Sequence, residues 1–498
     1  MVGKNMKNNK VETGKNEETT DKRIEETTDK RIEERLTNED DICKNGKQET
    51  VENVSVQIVK GKIENGLLDN SGCFLCGIKA ETSCPRCGVE ACSIHLSQHN
   101  GVQEGDEVVC LPFRVVWREN VGRCVLATRD IQPLELILQD KPVVLGPNYE
   151  TEAVCVNCLG RVDGTCICEH CNLLFCGETC KKSYETSLQD NSSATTGVLH
   201  ATECAAFSQM EKKFCVENVA PGTVAYEYGS ITVLRLLSLR DSAPAEWARL
   251  QVLMDHDEER RKEEVYWNMF QVNIVDFLRK RCKQADKYSE EEIHWAIGIL
   301  RTNAANVERP YMARQGTSGK AIYPTFSFFS HSCICNARYI IRPDDTMDLR
   351  AQVPIRQGEE ITIQYISFLF GNVRRRTDIK NCWLFECQCV RCQDVTELGT
   401  FVSALLCPKC EGSVLPKSSS LDESEWECIK CKNIIPDSEA IQIFSKLEKT
   451  MFDTFDTDVA KYEALLEEYR KILHPNHFQL INLDLVLEVA TEIYLQIS

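Results

Sequence analysis

The residues best suited to chemistry in this chain are cysteines set in pairs. Cys155-x2-Cys158, Cys168-x2-Cys171, Cys176-x3-Cys180 and His200-x3-Cys204 place eight thiol and imidazole ligands between residues 155 and 204. Two or three residues between paired ligands suit a knuckle that presents both side chains to one tetrahedral Zn2+. Eight ligands fill two such sites. The long gap before His200 fits an interleaved arrangement, with the first and third pairs on one ion and the second and fourth on the other. A smaller group precedes this finger: Cys73, Cys76, Cys84, Cys87, Cys92, His95 and His99. These seven ligands suffice for one zinc and fall one short of two, so a second would need Cys110 or a distant residue. Cys387-x-Cys389-x2-Cys392 offers three more thiols, and Cys407-x2-Cys410 with Cys428-x2-Cys431 has zinc-ribbon spacing.

The rest of the chain must hold these groups in place. At 498 residues it exceeds a single core and suggests three or four domains. The N-terminus is polar and charged, without signal-peptide character. The 28 cysteines are therefore expected to be reduced and metal-bound rather than paired as disulfides. No run of about 18 apolar residues appears, so no membrane span is expected. The net charge of −18 argues against nonspecific nucleic-acid binding, which relies on Lys and Arg to displace counterions. It is compatible with basic protein partners. The spacing and basic recognition helix of a base-reading zinc finger are also absent, so no direct sequence-specific nucleic acid is expected.

Residues 1–65 are mostly Lys, Glu, Thr, Asn and Asp and contain a tandem octapeptide, EETTDKRI, at Glu17–Ile24 and Glu25–Ile32. Too few apolar residues recur there to bury a face, and a disordered charged tail is expected. Residues 66–110 read as an N-terminal zinc finger. From residue 112 β-rich runs begin, at Phe113–Trp117, Cys124–Leu126 and Leu134–Leu138, broken by Gly122 and Pro133. The eight-ligand finger occupies 155–204. A helical stretch follows over 205–310, where Ser289-x2-Glu292 is a capping box ahead of Ile293, Ala296, Ile297 and Leu300. Strands return at Arg338–Ile341, Asp348–Ala351 and Ile361–Tyr365. Residues 397–436 hold the ribbon-like module. Residues 437–498 read as helical, with Tyr462, Leu465, Leu466, Tyr469 and Ile472 on one face until Pro475 interrupts.

Three separated segments resemble the SET and MYND domain (SMYD) family of protein lysine methyltransferases. Gly122-Arg123-Cys124 resembles the family's opening glycine turn. Ser330-His331-Ser332-Cys333-Ile334-Cys335-Asn336 is similar to its Asn-His-Ser-Cys-x-Pro-Asn. Gly358-Glu359-Glu360-Ile361-Thr362-Ile363-Gln364-Tyr365 is close to its Gly-Glu-Glu-(Ile/Leu)-Thr-Ile-x-Tyr. The finger at 155–204 is similar to MYND in ligand order and spacing. The extra N-terminal finger and the Cys407–Cys431 group resemble the arthropod-type, SmydA-like branch. The resemblance implies an α+β fold: a split SET β-fold over 112–396, with the MYND finger and helical stretch inserted and a post-SET segment at 371–396. Small zinc modules and a helical C-terminal tail would complete it.

The function this resemblance implies is S-adenosylmethionine-dependent methylation of protein lysine, histone or other, in gene regulation. Tyr365 would be the catalytic tyrosine, with Trp383 and Phe385 walling the lysine channel. Gly122, Arg123, Asn303, Ser330 and His331 would contact the cofactor. Cys333 would join Cys387, Cys389 and Cys392 on a structural Zn2+. A lysine-bearing protein would be the substrate, and the MYND-like finger would dock proline-rich peptides. Residence in the nucleus, the cytoplasm or both fits equally. The chain departs from the family at Cys124 (usually Gly), Ser330 (Asn) and Cys335 (Pro). A catalytically degenerate scaffold that binds partners through its fingers therefore stands as the alternative.

Overall fold

A computed structural model describes residues 73–75, 79–86, 89–93, 95–99, 102–104, 107–118, 122–149, 151–187, 199–214, 224–308, 319–419, 425–453 and 459–497. The charged N-terminal segment with its repeat, and the candidate ligands Cys76 and Cys87, lie outside these residues.

The first β core is built from short strands. They are β1 (Phe113–Arg118), β2 (Gly122–Ala127), β3 (Leu136–Asp140), β4 (Val144–Pro147), β5 (Ala305–Val307), β6 (Gly319–Ile322), β7 (Ser330–His331), β8 (Ala337–Ile341), β9 (Met347–Ala351) and β10 (Thr362–Ile363). β1 and β2 pair antiparallel from Phe113↔Ala127 to Arg118↔Gly122. β8, β9 and β3 form one antiparallel sheet, and β5, β6 and β4 another. β7 and β10 pair parallel, Ser330↔Thr362 and His331↔Ile363. A parallel pair needs a long crossover. Here residues 332–361 supply it, and the crossing lays two distant motifs side by side. Two expectations shift: Leu134 sits in a turn with φ +69°, so β3 begins at Leu136, and the helical stretch stops at Asn303. Ala305 and Val307 alternate inward and pair with β6 as a strand.

Three of the helices of this half position the site: α1 (Tyr226–Ser242), α2 (Glu290–Asn303) and α3 (Asn372–Trp383). α1 is buried continuously from Tyr228 to Leu239, so it runs through the core rather than along its surface. α2 starts where its sequence says it should. Ser289 Oγ accepts from Glu292 N at 3.1 Å, and Glu292 Oε2 accepts from Ser289 N at 2.8 Å. One continuous apolar core joins the N-terminal finger, the strands, the eight-ligand finger and these helices, from Phe74 through Phe175 and Leu234 to Ile363.

A second core lies downstream. Strands β11 (Leu405–Leu406), β12 (Ser413–Pro416), β13 (Trp426–Cys428) and β14 (Ile434–Ile435) form an antiparallel sheet in that order. Helices α4 (Asp437–Asp453), α5 (Val459–Tyr469) and α6 (Phe478–Ile497) pack on it. Trp426, Tyr462, Leu466, Tyr469 and Leu483 are its buried centre. α5 ends at Tyr469, ahead of Pro475, and Leu473 closes back on Leu405. No helix among the described residues is long and apolar enough to cross a membrane.

Candidate active site and zinc centres

Tyr365 lies two residues past the end of β10. Its hydroxyl donates to the carbonyl of Phe329, one residue before β7, at 2.7 Å. Its ring lies 5.2 Å from Trp383 and 6.4 Å from Phe385 between centroids. The structure therefore brings together the tyrosine and the two aromatics read as a channel wall. Burial pushes the Tyr365 phenol well above its usual range, with Tyr339 adding to the effect, so the hydroxyl stays a neutral donor.

His331 stands beside it and holds it. The backbone N–H of Tyr365 donates to His331 Nδ1 at 3.0 Å, which leaves Nε2 to carry the ring proton. Nε2 lies 3.3 Å from Cys333 Sγ. Both ring nitrogens are thus used inside the protein, between Tyr365 and a cysteine set. The side chain is engaged by the fold, and the cofactor contact that the resemblance implies would fall to the His331 backbone.

Asn336, which the sequence reading left without a role, ties the motifs together. Its Oδ1 accepts from Thr362 N at 2.8 Å, and its Nδ2 donates to Glu360 O at 2.8 Å. The Gly-Glu-Glu turn is closed by Gly358 N to Ala127 O at 2.8 Å, and φ of +81° at Gly358 explains the glycine.

The residues read as cofactor contacts are placed as follows. Gly122 opens β2 at φ +87°, and an added side chain would meet nothing within 4 Å, so the turn is open. Arg123 turns its guanidinium to the carbonyl of Val252 and over the Phe328 ring, 4.9 Å away. Asn303 ends α2, and its Nδ2 donates to Met254 O at 2.8 Å and Ile299 O at 3.0 Å. Its amide nitrogen is engaged by the fold. Ser330 is half-buried in β7. Cys124 lies in β2, fully buried, and burial beside Glu360 pushes its thiol up to about 11. The strand accepts it as an ordinary inward residue. Cys335 Sγ accepts from Gln352 Nε2 at 3.5 Å.

The cysteine sets gather as four-ligand groups. Cys333, Cys387, Cys389 and Cys392 have ligand atoms all within 4.8 Å of one another, as do Cys155, Cys158, Cys176 and Cys180, then Cys168, Cys171, His200 and Cys204, and Cys407, Cys410, Cys428 and Cys431. Sulfur–sulfur distances of 3.5–3.7 Å between Cys158 and Cys176, Cys168 and Cys204, Cys333 and Cys392, and Cys407 and Cys431 fit the tetrahedron. Zn–S bonds of about 2.3 Å place sulfurs ~3.8 Å apart along its edges. Cys73, Cys92 and His95 form a further group.

Buried charge surrounds two of these sets. Arg375 Nε lies 3.2 Å from Cys333 Sγ, and its Nη1 pairs with Glu397 at 2.6 Å; Arg391 meets the same carboxylate at 2.9 Å. Four thiolates around Zn2+ leave a net charge of −2, which the nearby guanidinium offsets in part. In the finger, His200 Nδ1 is 2.9 Å from Glu203 Oε1, and Glu203 takes two bonds of 2.7 Å from Arg235 of α1. Arg235 also donates to Leu145 O and Val156 O, each at 2.7 Å. A carboxylate holding the free nitrogen of a zinc-ligating histidine fixes its tautomer and orientation. Glu203, Arg235, Arg375 and Glu397 were missed in the sequence; only Glu203, one helical turn after His200, carried a local clue.

Comparison with known proteins agrees with this geometry. Residues 122–366 match the family model of the SET domain. The chain is similar to SET-domain proteins of the SMYD type. The SET domain-containing protein SmydA-8, isoform A, of Drosophila melanogaster is 30% identical over 329 residues, 63% of this chain and 64% of that protein. This chain thus aligns with less than two thirds of that relative's length. Human histone-lysine N-methyltransferase SMYD1 is 22% identical over 410 residues, 73% of this chain and 77% of that protein. Histone-lysine N-methyltransferase ASHR1 of Arabidopsis thaliana is 25% identical over 365 residues, 70% of each. The zinc sets flank the SET strands on both sides, and the α+β fold expected from the sequence is present.

Proposed function

We propose that the protein is an S-adenosylmethionine-dependent protein-lysine N-methyltransferase. The observation that carries this reading is the placement of Tyr365: its hydroxyl is fixed on the Phe329 carbonyl, and Trp383 and Phe385 stand around its ring. Relatives named histone-lysine N-methyltransferases support the same reading. S-adenosylmethionine, when bound, supplies an electrophilic methyl carbon. The open turn at Gly122 and the backbone of β7 are suited to hold it.

The chain's own residues handle the amine. A lysine at pH 7 must lose a proton at a cost of about 4–5 kcal/mol, set by its pKa near 10.4. A dry aromatic channel disfavours the ammonium and offsets part of that cost. Tyr365, Trp383 and Phe385 would line it, and the Tyr365 hydroxyl and Phe329 carbonyl would orient the amine. Positioning of this kind contributes up to ~7–11 kcal/mol in favourable cases. The proposed substrate is a lysine-bearing protein, histone or other, with a role in gene regulation in the nucleus, the cytoplasm or both. The MYND-like finger is proposed to dock proline-rich partners.

The test is transfer of labelled methyl groups from S-adenosylmethionine into cell protein fractions, with calorimetry of cofactor binding. Tyr365→Phe is expected to abolish transfer while cofactor binding stays within about threefold. Absence of cofactor binding to the wild-type chain at millimolar concentration would leave the scaffold reading instead.

A further inference from the structure

The sequence names Cys110 as one candidate for the eighth ligand of the N-terminal group. The structure places its Sγ 3.8 Å from that of Cys84. This is too long for a disulfide, whose sulfurs are about 2.05 Å apart. It equals the ~3.8 Å tetrahedral edge expected for two thiolates on one zinc.

A second observation is independent of that distance. In the zinc sets already described, the first cysteine of a Cys-x2-Cys knuckle donates its backbone N–H to the carbonyl five residues on. The bonds are Cys155 to Gly160 at 2.7 Å, and Cys168 to Leu173, Cys407 to Gly412 and Cys428 to Asn433, each at 2.8 Å. Cys84 does the same, to Val89 at 2.8 Å, and Arg86 N donates to its sulfur at 3.4 Å. The Cys84 turn therefore has the backbone form of a zinc knuckle. Its partner is not in the other group of this finger, where His95 Nδ1 lies 3.4 Å from Cys73 Sγ and 3.2 Å from Cys92 Sγ. A third residue is tied to the Cys110 segment through the backbone: His99 is buried, and its carbonyl accepts from Leu111 N at 3.3 Å, one residue from Cys110.

We propose that Cys84, Cys110 and His99 hold a second zinc in the N-terminal finger, distinct from the Cys73, Cys92 and His95 group. Cys110 comes three residues before β1, and Val115 of β1 donates its N–H to Phe74 O at 2.8 Å. The ion clips the finger to the strand whose partner, β2, begins with the Gly122 turn. The site stands on its own geometry and does not depend on the proposed methyl transfer.

Zinc content of the reduced full-length chain tests it, measured for wild type, Cys110→Ser, Cys110→His and the exposed-cysteine control Cys382→Ser. Cys110→Ser should lose one equivalent of zinc relative to wild type. Cys110→His should keep it, and Cys382→Ser should match wild type. An unchanged count in Cys110→Ser would overturn the proposal. Should that variant fail to fold, alkylation of the native wild-type chain still decides. Cys110 should resist iodoacetamide as Cys84 does until a chelator is added, while Cys382 reacts at once. Prompt alkylation of Cys110 in the zinc-loaded chain would equally refute the site.

Discussion

The zinc centres of the SET half and the zinc ribbon downstream use the same ligands but are anchored differently. In the SET half, each of two centres adjoins a buried arginine–carboxylate pair that reaches into the core. Arg235 and Glu203 join the finger to α1 and β4, and Arg375 and Glu397 join the cysteine set beside Tyr365 to α3. The ribbon's neighbouring ion pairs, Lys417 with Glu425 and Lys432 with Glu427, lie on the surface. Exposed pairs contribute ~0–1 kcal/mol, whereas breaking a buried one costs about 3–5 kcal/mol because a charge is left uncompensated. The lesson is that zinc in the SET half belongs to the framework of the proposed active site, while ribbon zinc organises its own small sheet.

Removing a ligand beside Tyr365 tests this contrast most severely. Cys389→Ala should release one zinc and free Cys333, which contacts both His331 and Arg375. Structural zinc is worth ~10–16 kcal/mol in isolated finger peptides, so a stability loss above about 4 kcal/mol is expected, with methyl transfer gone. Unchanged thermal stability and zinc content would break the comparison. Next in size, Glu203→Gln leaves Arg235 buried without its counter-charge and should cost about 3–5 kcal/mol in denaturant unfolding. A loss below about 1 kcal/mol would mean the network is not an anchor.

These residues also mark how far the sequence could be read. Metal ligands repeat at short spacings, so their knuckles are legible one by one, and the motifs containing Gly122, His331 and Tyr365 are legible as a resemblance. What joins them is not. Asn336 bonds to Thr362 and Glu360 only because β7 and β10 cross, and Arg375 is one of three consecutive arginines in α3. Nothing local sets Arg375 apart from the exposed Arg374. Its role is defined by Cys333 and Glu397, 42 and 22 residues away in the chain. For the same reason the sequence leaves open whether Cys110 or a more distant residue completes the N-terminal set: Cys84, beside it in the fold, is 26 residues distant. That Asn303 and His331 also spend side-chain nitrogen on the fold is likewise set by distant partners.

The two halves should also differ in the sign of their response to pH. In the SET half, burial raises the Asp140 carboxyl to about 6 from 3.8, although Arg249 and the N–H groups of Thr325 and Phe326 pull the other way. A raised folded value favours the protonated form, so its stabilisation is present below pH 4 and is lost as pH rises through 6. In the ribbon half, burial, with His474 adding, lowers His477 to about 3 from 6.5. A depressed histidine favours the neutral form, so its stabilisation is present above pH 6.5 and is lost as pH falls toward 3. Hydrogen exchange at pH 5 and pH 7 should therefore show α5 and α6 less protected at pH 5. Asp140→Asn should remove up to about 3 kcal/mol of pH dependence from the SET half, and its constant loss of an N–H acceptor should leave the remaining slope unchanged. Equal slopes in wild type and variant would contradict the assignment.

The smallest effect on catalysis is expected from Cys410→Ser. The ribbon meets the SET half through residues outside its ligand set. Ser403 Oγ accepts from Asn372 N at 2.8 Å, Phe478 packs on Phe370 with centroids 6.3 Å apart, and Arg376 reaches the carbonyl of Ser419. Losing the ribbon zinc should loosen β11–β14 and expose Trp426, whose indole donates to Asp437 at 3.0 Å. A red-shifted tryptophan emission and one zinc fewer are the expected signs. Methyl transfer should stay within about twofold, because distant sites without shared partners act nearly independently. A fall as deep as that of Cys389→Ala would mean that Ser403 and Phe478 transmit the ribbon's order to α3, and the ribbon would then belong to the active-site framework after all.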